Sequence, residues 1–191
     1  PSGQFRSLGE DGYDPIIREA ATTFGLEQAL IKAIMSKESG SFNEFAVSPT
    51  GCRGLMQVCS WADYASVRQQ YNLPDYPFDP RANIFVGASI LKSKFDSVTA
   101  NCGIERLQAV ISAYNIGQGI INGAITRVGN CNSFTALVNN MHQNLILNND
   151  GTGTLYTFTN KPWLTYAKID GQIPYVNGVM EAYRMYQSVF L

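Results

Sequence analysis

The sequence predicts a mainly α-helical fold, and three observations carry that reading. Apolar residues recur at three- and four-residue spacing in segment after segment, which is the period of a helix face. Strand-like alternation is confined to one short stretch near Thr154 to Phe158. Clusters of Gly, Pro, Ser and Asn punctuate the helical segments. With 191 residues and 45% apolar composition, the chain suffices for one compact domain with its own core. Residues 14–191 are expected to form that domain, with residues 1–13 as an N-terminal tail or linker.

The first helix starts at Asp14-Pro15, an N-cap acid followed by Pro at the first helical position. Ile16, Ile17, Ala20 and Phe24 form its stripe, and Gly25 ends it. The segment Leu26 to Lys37 contains neither Gly nor Pro and repeats Leu30, Ile31, Ile34 and Met35 at helical spacing, so it reads as an amphipathic helix. Ser39-Gly40-Ser41 is a run of breakers, which places its end between Glu38 and Gly40. Glu38 follows Ile31, Ile34 and Met35 by seven, four and three residues, so it falls on the apolar stripe. Poor solvation disfavours a carboxylate, raises its pKa and suits a general acid. The plainer alternative is a helix-end Glu paired with Lys32, Lys37 or Arg53.

A turn punctuated by Gly51 and Gly54 follows, then a short helix expected over Gly54 to Tyr64. Tyr71 to Pro80 holds three prolines and reads as a loop. Asp79-Pro80 enters a helix with Ile84, Ala88, Leu91 and Phe95 on one face, in which Gly87 permits close packing. Leu107, Val110, Ile111 and Tyr114 mark another helix, ended by Asn115 and Gly117. Residues 128–172 read as an elaboration: up to Asn149 they hold no formal charge apart from any on His142, and seven asparagines. Phe134, Leu137, Val138 and Met141 give part of it helical spacing. Asn148 to Gly151 is a turn, and a small β-hairpin is expected near residues 152–167. Pro174-Tyr175-Val176, with Val179, Ala182, Tyr183 and Tyr186, begins the last helix.

A formal net charge of −1 and the absence of a basic run exclude a general nucleic-acid binder. No apolar stretch reaches the length of a membrane span. The chain starts at Pro1 without a visible signal peptide, and is expected to be a mature product or an excised domain. Cys52, Cys59, Cys102 and Cys131 include no Cys-x2-Cys pair, and His142 is the one histidine, so no zinc site is expected. Four cysteines permit two disulfides in three connectivities. The sequence-local pairing, Cys52–Cys59 with Cys102–Cys131, is favoured and implies an oxidising compartment; the alternative is four small buried thiols.

Three motifs carry a family resemblance. The first runs Glu38-Ser39-Gly40-Ser41-Phe42-Asn43, then Ala46-Val47-Ser48-Pro49-Thr50-Gly51, then Gly54-Leu55-Met56-Gln57. The second is Asn83-Ile84 with Gly87, and the third is Ala113-Tyr114-Asn115 before a Gly-rich turn. In this order they resemble the soluble lytic transglycosylase family, whose lysozyme-like fold is of the goose type. The resemblance covers residues 14 to 125 well, and the C-terminal helix loosely through Tyr175-Val176. Two family pairs are absent: Gln172-Ile173 stands in place of Glu-Thr, and Cys59-Ser60 in place of the Met-Pro after the Gln.

The resemblance implies cleavage of peptidoglycan glycan strands by one acid. Glu38 would protonate the oxygen between N-acetylmuramic acid and N-acetylglucosamine, and the substrate's acetamido group would stabilise the anomeric carbon. Glu38 would then take the proton of the muramic 6-hydroxyl as a 1,6-anhydro ring closes. Ser48, Gln57 and Tyr114 would position the sugar, Met56 would form an apolar wall, and Asn115 and Tyr175 would complete the cleft. No metal or organic cofactor is implied. Trp163, Tyr156 and Tyr166 are candidate sugar-stacking rings, with ordinary packing the expectation for at least two of them, and His142 reads as structural. The rivals are a true hydrolase and a non-catalytic wall-binding module. The implied setting is extracytoplasmic, in the periplasm or envelope or on a phage virion, alone or within a secretion, conjugation or phage assembly.

Overall fold

The computed structural model describes residues 10–98, 103–129, 133–147, 153–155 and 163–190. A 3-10 turn, Glu10–Tyr13, leads into α1 (Asp14–Phe24), α2 (Gln28–Glu38), α3 (Trp61–Gln70), α4 (Pro80–Ser97), α5 (Gly103–Ile116), α6 (Gln118–Val128) and α7 (Phe134–Asn144). Then come β1 (Leu145–Leu147), β2 (Gly153–Leu155), α8 (Tyr166–Asp170) and α9 (Gln172–Gln187). The fold is mainly α, as expected. The chain divides into two compact units, one of residues 1–92 with 181–191 and one of residues 93–180.

In the first unit α2 is the central element. Every residue from Ala29 to Met35 is buried, so α2 is enclosed on all sides rather than amphipathic. The expectation of a two-faced helix fails at Lys32, a cation that reads as a solvent-facing residue but is itself buried. A buried ammonium needs counter-charge. Asp14 and Asp11 supply it, at 2.8 and 3.1 Å, and the rings of Tyr186 and Phe190 cover the ammonium at 5.1 and 5.5 Å. Asp14 is therefore spent on Lys32 instead of capping α1, which keeps the expected Pro15 start and ends at left-handed Gly25. Ile17 and Ala20 of α1, and Ile84, Ala88 and Leu91 of α4, are among the buried residues of this unit. Phe24, Tyr71 and Phe85 pack edge to face, with centroids 5.4 to 6.0 Å apart.

The last turns of α9 are joined to the N-terminal turn and α2 by two phenols. The Tyr186 hydroxyl donates to Glu10 Oε1 at 2.6 Å, and the Tyr183 hydroxyl to Glu27 Oε2 at 2.8 Å. Burial and the Glu27 carboxylate push Tyr183 up to about 12; burial and Glu10 push Tyr186 higher still. Burial opposes the charge on Lys32, but its hydrogen bonds to Asp14 and Asp11 outweigh that and raise its pKa. All three groups keep their protons to higher pH in the fold than in the unfolded chain. Their stabilisation is complete below the ordinary values, near 10, and is lost as pH rises through the raised folded values. The melting temperature is therefore expected to hold to about pH 9.5 and to fall steeply above about pH 10. A scan that stays flat to about pH 11.5 would contradict this account.

The helix expected over Gly54 to Tyr64 does not form. Residues Gly54 to Gln57 are a turn, and α3 begins only at Trp61, where Ser60 Oγ accepts from the Asp63 amide at 3.3 Å. Tyr71 to Asp79 is a loop, as its prolines require.

In the second unit the four residues expected to face inward from α7, Phe134, Leu137, Val138 and Met141, are those buried. They share a core with Val110 and Ile111 of α5 and Ile120, Ile121 and Ala124 of α6. The stretch after Gly117, which reads as a Gly-rich turn, is helical from Gln118 onward, with the turn compressed into Gly117 at φ +96°. β2 pairs antiparallel with β1 in the register Leu145–Leu155, Ile146–Thr154, Leu147–Gly153. The hairpin thus starts earlier than residues 152–167. Trp163 to Tyr166 is not its partner, because Thr165 Oγ1 accepts from the Lys168 amide and opens α8. Cys102, Cys131 and Tyr156 lie outside the described residues.

Candidate active site

Glu38 is the last residue of α2 and is half-buried. The chain leaves it by a sharp reversal in which Gly40, Ser41 and Phe42 all take left-handed backbone, at φ 57°, 78° and 66°. Ser41 and Phe42 adopt it against their side chains' preference, so the surroundings must enforce it. Phe42 is buried and stacks on Tyr13 with centroids 6.4 Å apart. The Tyr13 hydroxyl donates to Glu44 Oε2 at 2.8 Å, inside the fold. The Ser41 amide donates to Ser36 O at 3.2 Å, and Ser39 Oγ to Met35 O at 2.7 Å. The path away from Glu38 is thus set by side chains from the N-terminal turn as well as by its own sequence.

The next segment folds back as two linked turns. Arg53 pairs antiparallel with Val47 on one side and Val58 on the other. In the first turn Ser48 Oγ accepts from the Cys52 amide at 3.0 Å and meets Thr50 Oγ1 at 3.0 Å. The second turn carries Met56 and Gln57, and the disulfide Cys52–Cys59 closes its base, with Cα atoms 4.3 Å apart. That bond is the expected pairing. Gln57 holds left-handed backbone at φ 49°, and its Nε2 donates to Ala46 O at 3.1 Å and Gly54 O at 2.9 Å. Both amide protons are thereby used within the turn, so Oε1 is the part of the side chain with no donor among the described residues. Gly54 N donates to Ala46 O at 2.8 Å, which ties the segment leaving Glu38 to the Gln57 turn.

Asn83 of α4, fully buried, holds this turn from beneath. Its Oδ1 accepts from the Met56 amide at 2.7 Å, and its Nδ2 donates to Arg53 O and Pro77 O, both at 2.9 Å. A Cβ at Gly54 would overlap that amide, and one at Gly87 would stand 2.5 Å from Met56 Cβ and Sδ. Glycine is needed at both places, the second being the close packing expected of Gly87. Met56 is fully buried, so in this structure its side chain anchors the turn against α4. In the sequence Asn83 stands out only as part of a motif. An amide within the apolar run Ala82 to Val86 was the available signal, since a buried polar side chain there must find partners.

The remaining candidates lie in the second unit. Tyr114 and Asn115 are half-buried in the last turn of α5, and Tyr175 is half-buried in the first turn of α9. Asn115 Oδ1 accepts from Gln172 Nε2 at 3.0 Å. Gln172, itself buried, also donates to Lys168 O at 3.0 Å and accepts from Ser112 Oγ at 2.9 Å. The Gln in place of the family's Glu is therefore the residue that fixes Asn115. Of the candidate stacking rings, Trp163 is exposed, while Tyr166 donates its hydroxyl to Leu145 O at 2.9 Å and packs against His142 at 4.8 Å. His142 pairs with Asp170 at 3.4 Å on the surface of this unit.

The family model described as the transglycosylase SLT domain matches residues 15–136. Membrane-bound lytic murein transglycosylase C of Pectobacterium atrosepticum is 40% identical over 117 residues, which is 57% of this chain and 32% of that protein. The protein of the same name from Yersinia enterocolitica is 36% identical over 137 residues, 68% of this chain and 37% of its own length. The chain thus spans about a third of these relatives. Among solved structures, an inactive mutant of the lytic transglycosylase Slt from Pseudomonas aeruginosa covers 98% of this chain and 26% of its own, with a TM-score of 0.63 at 19% identity. The 70 kDa soluble lytic transglycosylase from Escherichia coli covers 93% of this chain and 25% of its own, with a TM-score of 0.63 at 20% identity. At these identities the likeness is one of fold.

Proposed function

The chain belongs to the transglycosylase SLT domain family, and from that premise we propose that it is a peptidoglycan lytic transglycosylase acting through Glu38 alone. The observation that carries the reading is the setting of Glu38: it ends a helix buried from Ala29 to Met35 and is followed by a reversal that the fold enforces at Ser41 and Phe42. Glu38 is half-buried at the C-terminal end of α2, the place from which a general acid would deliver its proton.

Glu38 gives its proton to the glycosidic oxygen between N-acetylmuramic acid and N-acetylglucosamine. As that bond breaks, the muramic acetamido oxygen stabilises the anomeric carbon. Glu38, now a carboxylate, removes the proton of the 6-hydroxyl, whose oxygen closes the 1,6-anhydro ring. Atoms balance without water, because the proton lent to the leaving oxygen is recovered from the hydroxyl. Gln57 supports this through its remaining acceptor: with both amide protons used in the turn, Oε1 suits the N–H of an acetamido group. Ser48, Met56, Tyr114, Asn115 and Tyr175 complete the proposed set, Ser48 and Met56 by shaping the linked turns.

Glu44 bears on the choice between lyase and hydrolase. It is the nearest carboxylate after Glu38 in the sequence, and it is buried and engaged by the Tyr13 hydroxyl. A hydrolase with two carboxylates needs the second one facing the sugar, so this engagement favours the one-acid lyase. We place the reaction in the cell envelope, outside the cytoplasm. The curated relatives are named as membrane-bound, whereas among the described residues no helix here is long and apolar enough to cross a membrane. None of the relatives named above is a phage protein.

Mass spectrometry of soluble products from purified peptidoglycan tests the reading. Anhydromuramyl ends, lighter than reducing ends by one water, are expected. Reducing ends would make the chain a lysozyme, and no product from a folded sample would leave only a wall-binding role.

A further inference from the structure

The Gln57 turn presents a second chemical feature that the mechanism does not use. Arg53 is exposed, and its guanidinium carbon lies 4.9 Å from the centroid of the Trp61 ring. No carboxylate among the described residues pairs with it, unlike Arg81 with Glu19 and Arg68 with Asp75. Asp63, in the first turn of α3, is the nearest acid in sequence and makes no ion pair with it. The backbone of Arg53 is rigid. Its amide and carbonyl exchange bonds with Val58 at 3.0 Å, its carbonyl also receives Asn83 Nδ2, and the Cys52–Cys59 bond closes the same turn. On either side stand exposed apolar side chains, Val47, paired across the bridge and 59% exposed, and Trp61, 42% exposed.

We propose that Arg53, flanked by Val47 and Trp61, forms a carboxylate-recognition site beside Gln57 that takes the acidic stem peptide of a muramyl residue. This rests on the reading of the chain as a peptidoglycan-cleaving enzyme. The N-acetylated sugar backbone is itself uncharged, so a guanidinium beside it finds its counter-charge on what the muramyl residue carries. A stem peptide offers carboxylates for the guanidinium edge and small methyl groups for Val47 and the indole. With the Trp61 ring 4.9 Å from its guanidinium carbon and no carboxylate paired to it among the described residues, Arg53 can offer N–H groups to a bidentate carboxylate. The site would make the enzyme prefer strands that bear peptides over strands already stripped of them.

The test compares Arg53→Gln with the unaltered chain on two substrates, peptide-bearing strands and strands whose stems an amidase has removed. The ratio of kcat/KM between them is expected to fall about threefold to tenfold in Arg53→Gln, mainly through KM, with Arg53→Lys retaining part of the preference. Equal loss on both substrates would assign Arg53 to the sugar or to its lactyl carboxylate, and no loss on either would leave it without a role; each overturns the proposal. Calorimetric binding of a disaccharide-tetrapeptide, against the peptide-free disaccharide, judges it independently of turnover. Weaker binding of the peptide form alone in Arg53→Gln supports the site, and unchanged binding overturns it. Absence of turnover in the unaltered chain would instead count against the enzymatic reading.

Discussion

Glu38→Gln is expected to lower glycan cleavage by about a hundredfold to ten-thousandfold, the range that one general acid–base group supplies. The substitution keeps the shape of the side chain and removes its acidic proton, so it separates chemistry from architecture. Glu38 ends α2 and forms no part of the wholly buried run Ala29 to Met35, hence the thermal midpoint should move little. Clearing of a cell-wall suspension reads the loss, and the melting curve confirms that the variant is folded. Retained activity would remove Glu38 from the mechanism altogether.

The second large effect is structural and centres on Asn83. In Asn83→Ala the Met56 amide, the Arg53 carbonyl and the Pro77 carbonyl lose their partners inside a turn that the disulfide and Gly54 hold close to α4. An unpaired buried polar group costs about 1–3 kcal/mol. Three such groups, partly rescued by water, make a loss of about 3–5 kcal/mol reasonable. For a chain of this length that corresponds to a fall of roughly 10 °C in melting temperature. Activity should fall with it, because Gln57 loses the platform on which its backbone is held left-handed. Asn83→Asp isolates the cause: it keeps an acceptor for Met56 but turns repulsive oxygens toward two carbonyls, and should be about as damaging. Denaturant titration of both variants checks this, and a loss below about 1 kcal/mol in both would show that the turn stands on the disulfide alone.

The parts of this fold that were readable from sequence are those governed by local period. Phe134, Leu137, Val138 and Met141 face inward as their spacing demands, and the breakers after Glu38 end α2 where they stand. The misses have non-local causes. Gly54 to Tyr64 has helix-compatible composition at its end, but Asn83, far along the chain, binds its beginning as a turn. Lys32 reads as solvent-facing because its partners, Asp11, Asp14, Tyr186 and Phe190, come from both ends of the chain. Of the candidate site, Glu38 and the Met56-Gln57 turn were visible through the motif. The contacts that hold this segment, Tyr13 to Glu44 and Asn83 to the Met56 turn, were not, since a supporting contact leaves no pattern in the segment it supports.

The closure of the first unit by Tyr183, Tyr186 and Phe190 has a consequence for biosynthesis. Residues 93–180 emerge from the ribosome before the last turns of α9, so the second unit can fold while the first is incomplete. Until those aromatic rings arrive, the ammonium of Lys32 has its aspartates but not its cover, and the helix that ends in Glu38 lacks part of its enclosure. In the order of synthesis the second unit therefore precedes completion of the first, and the helix that ends in Glu38 gains its full cover only after the last turns of α9 have emerged.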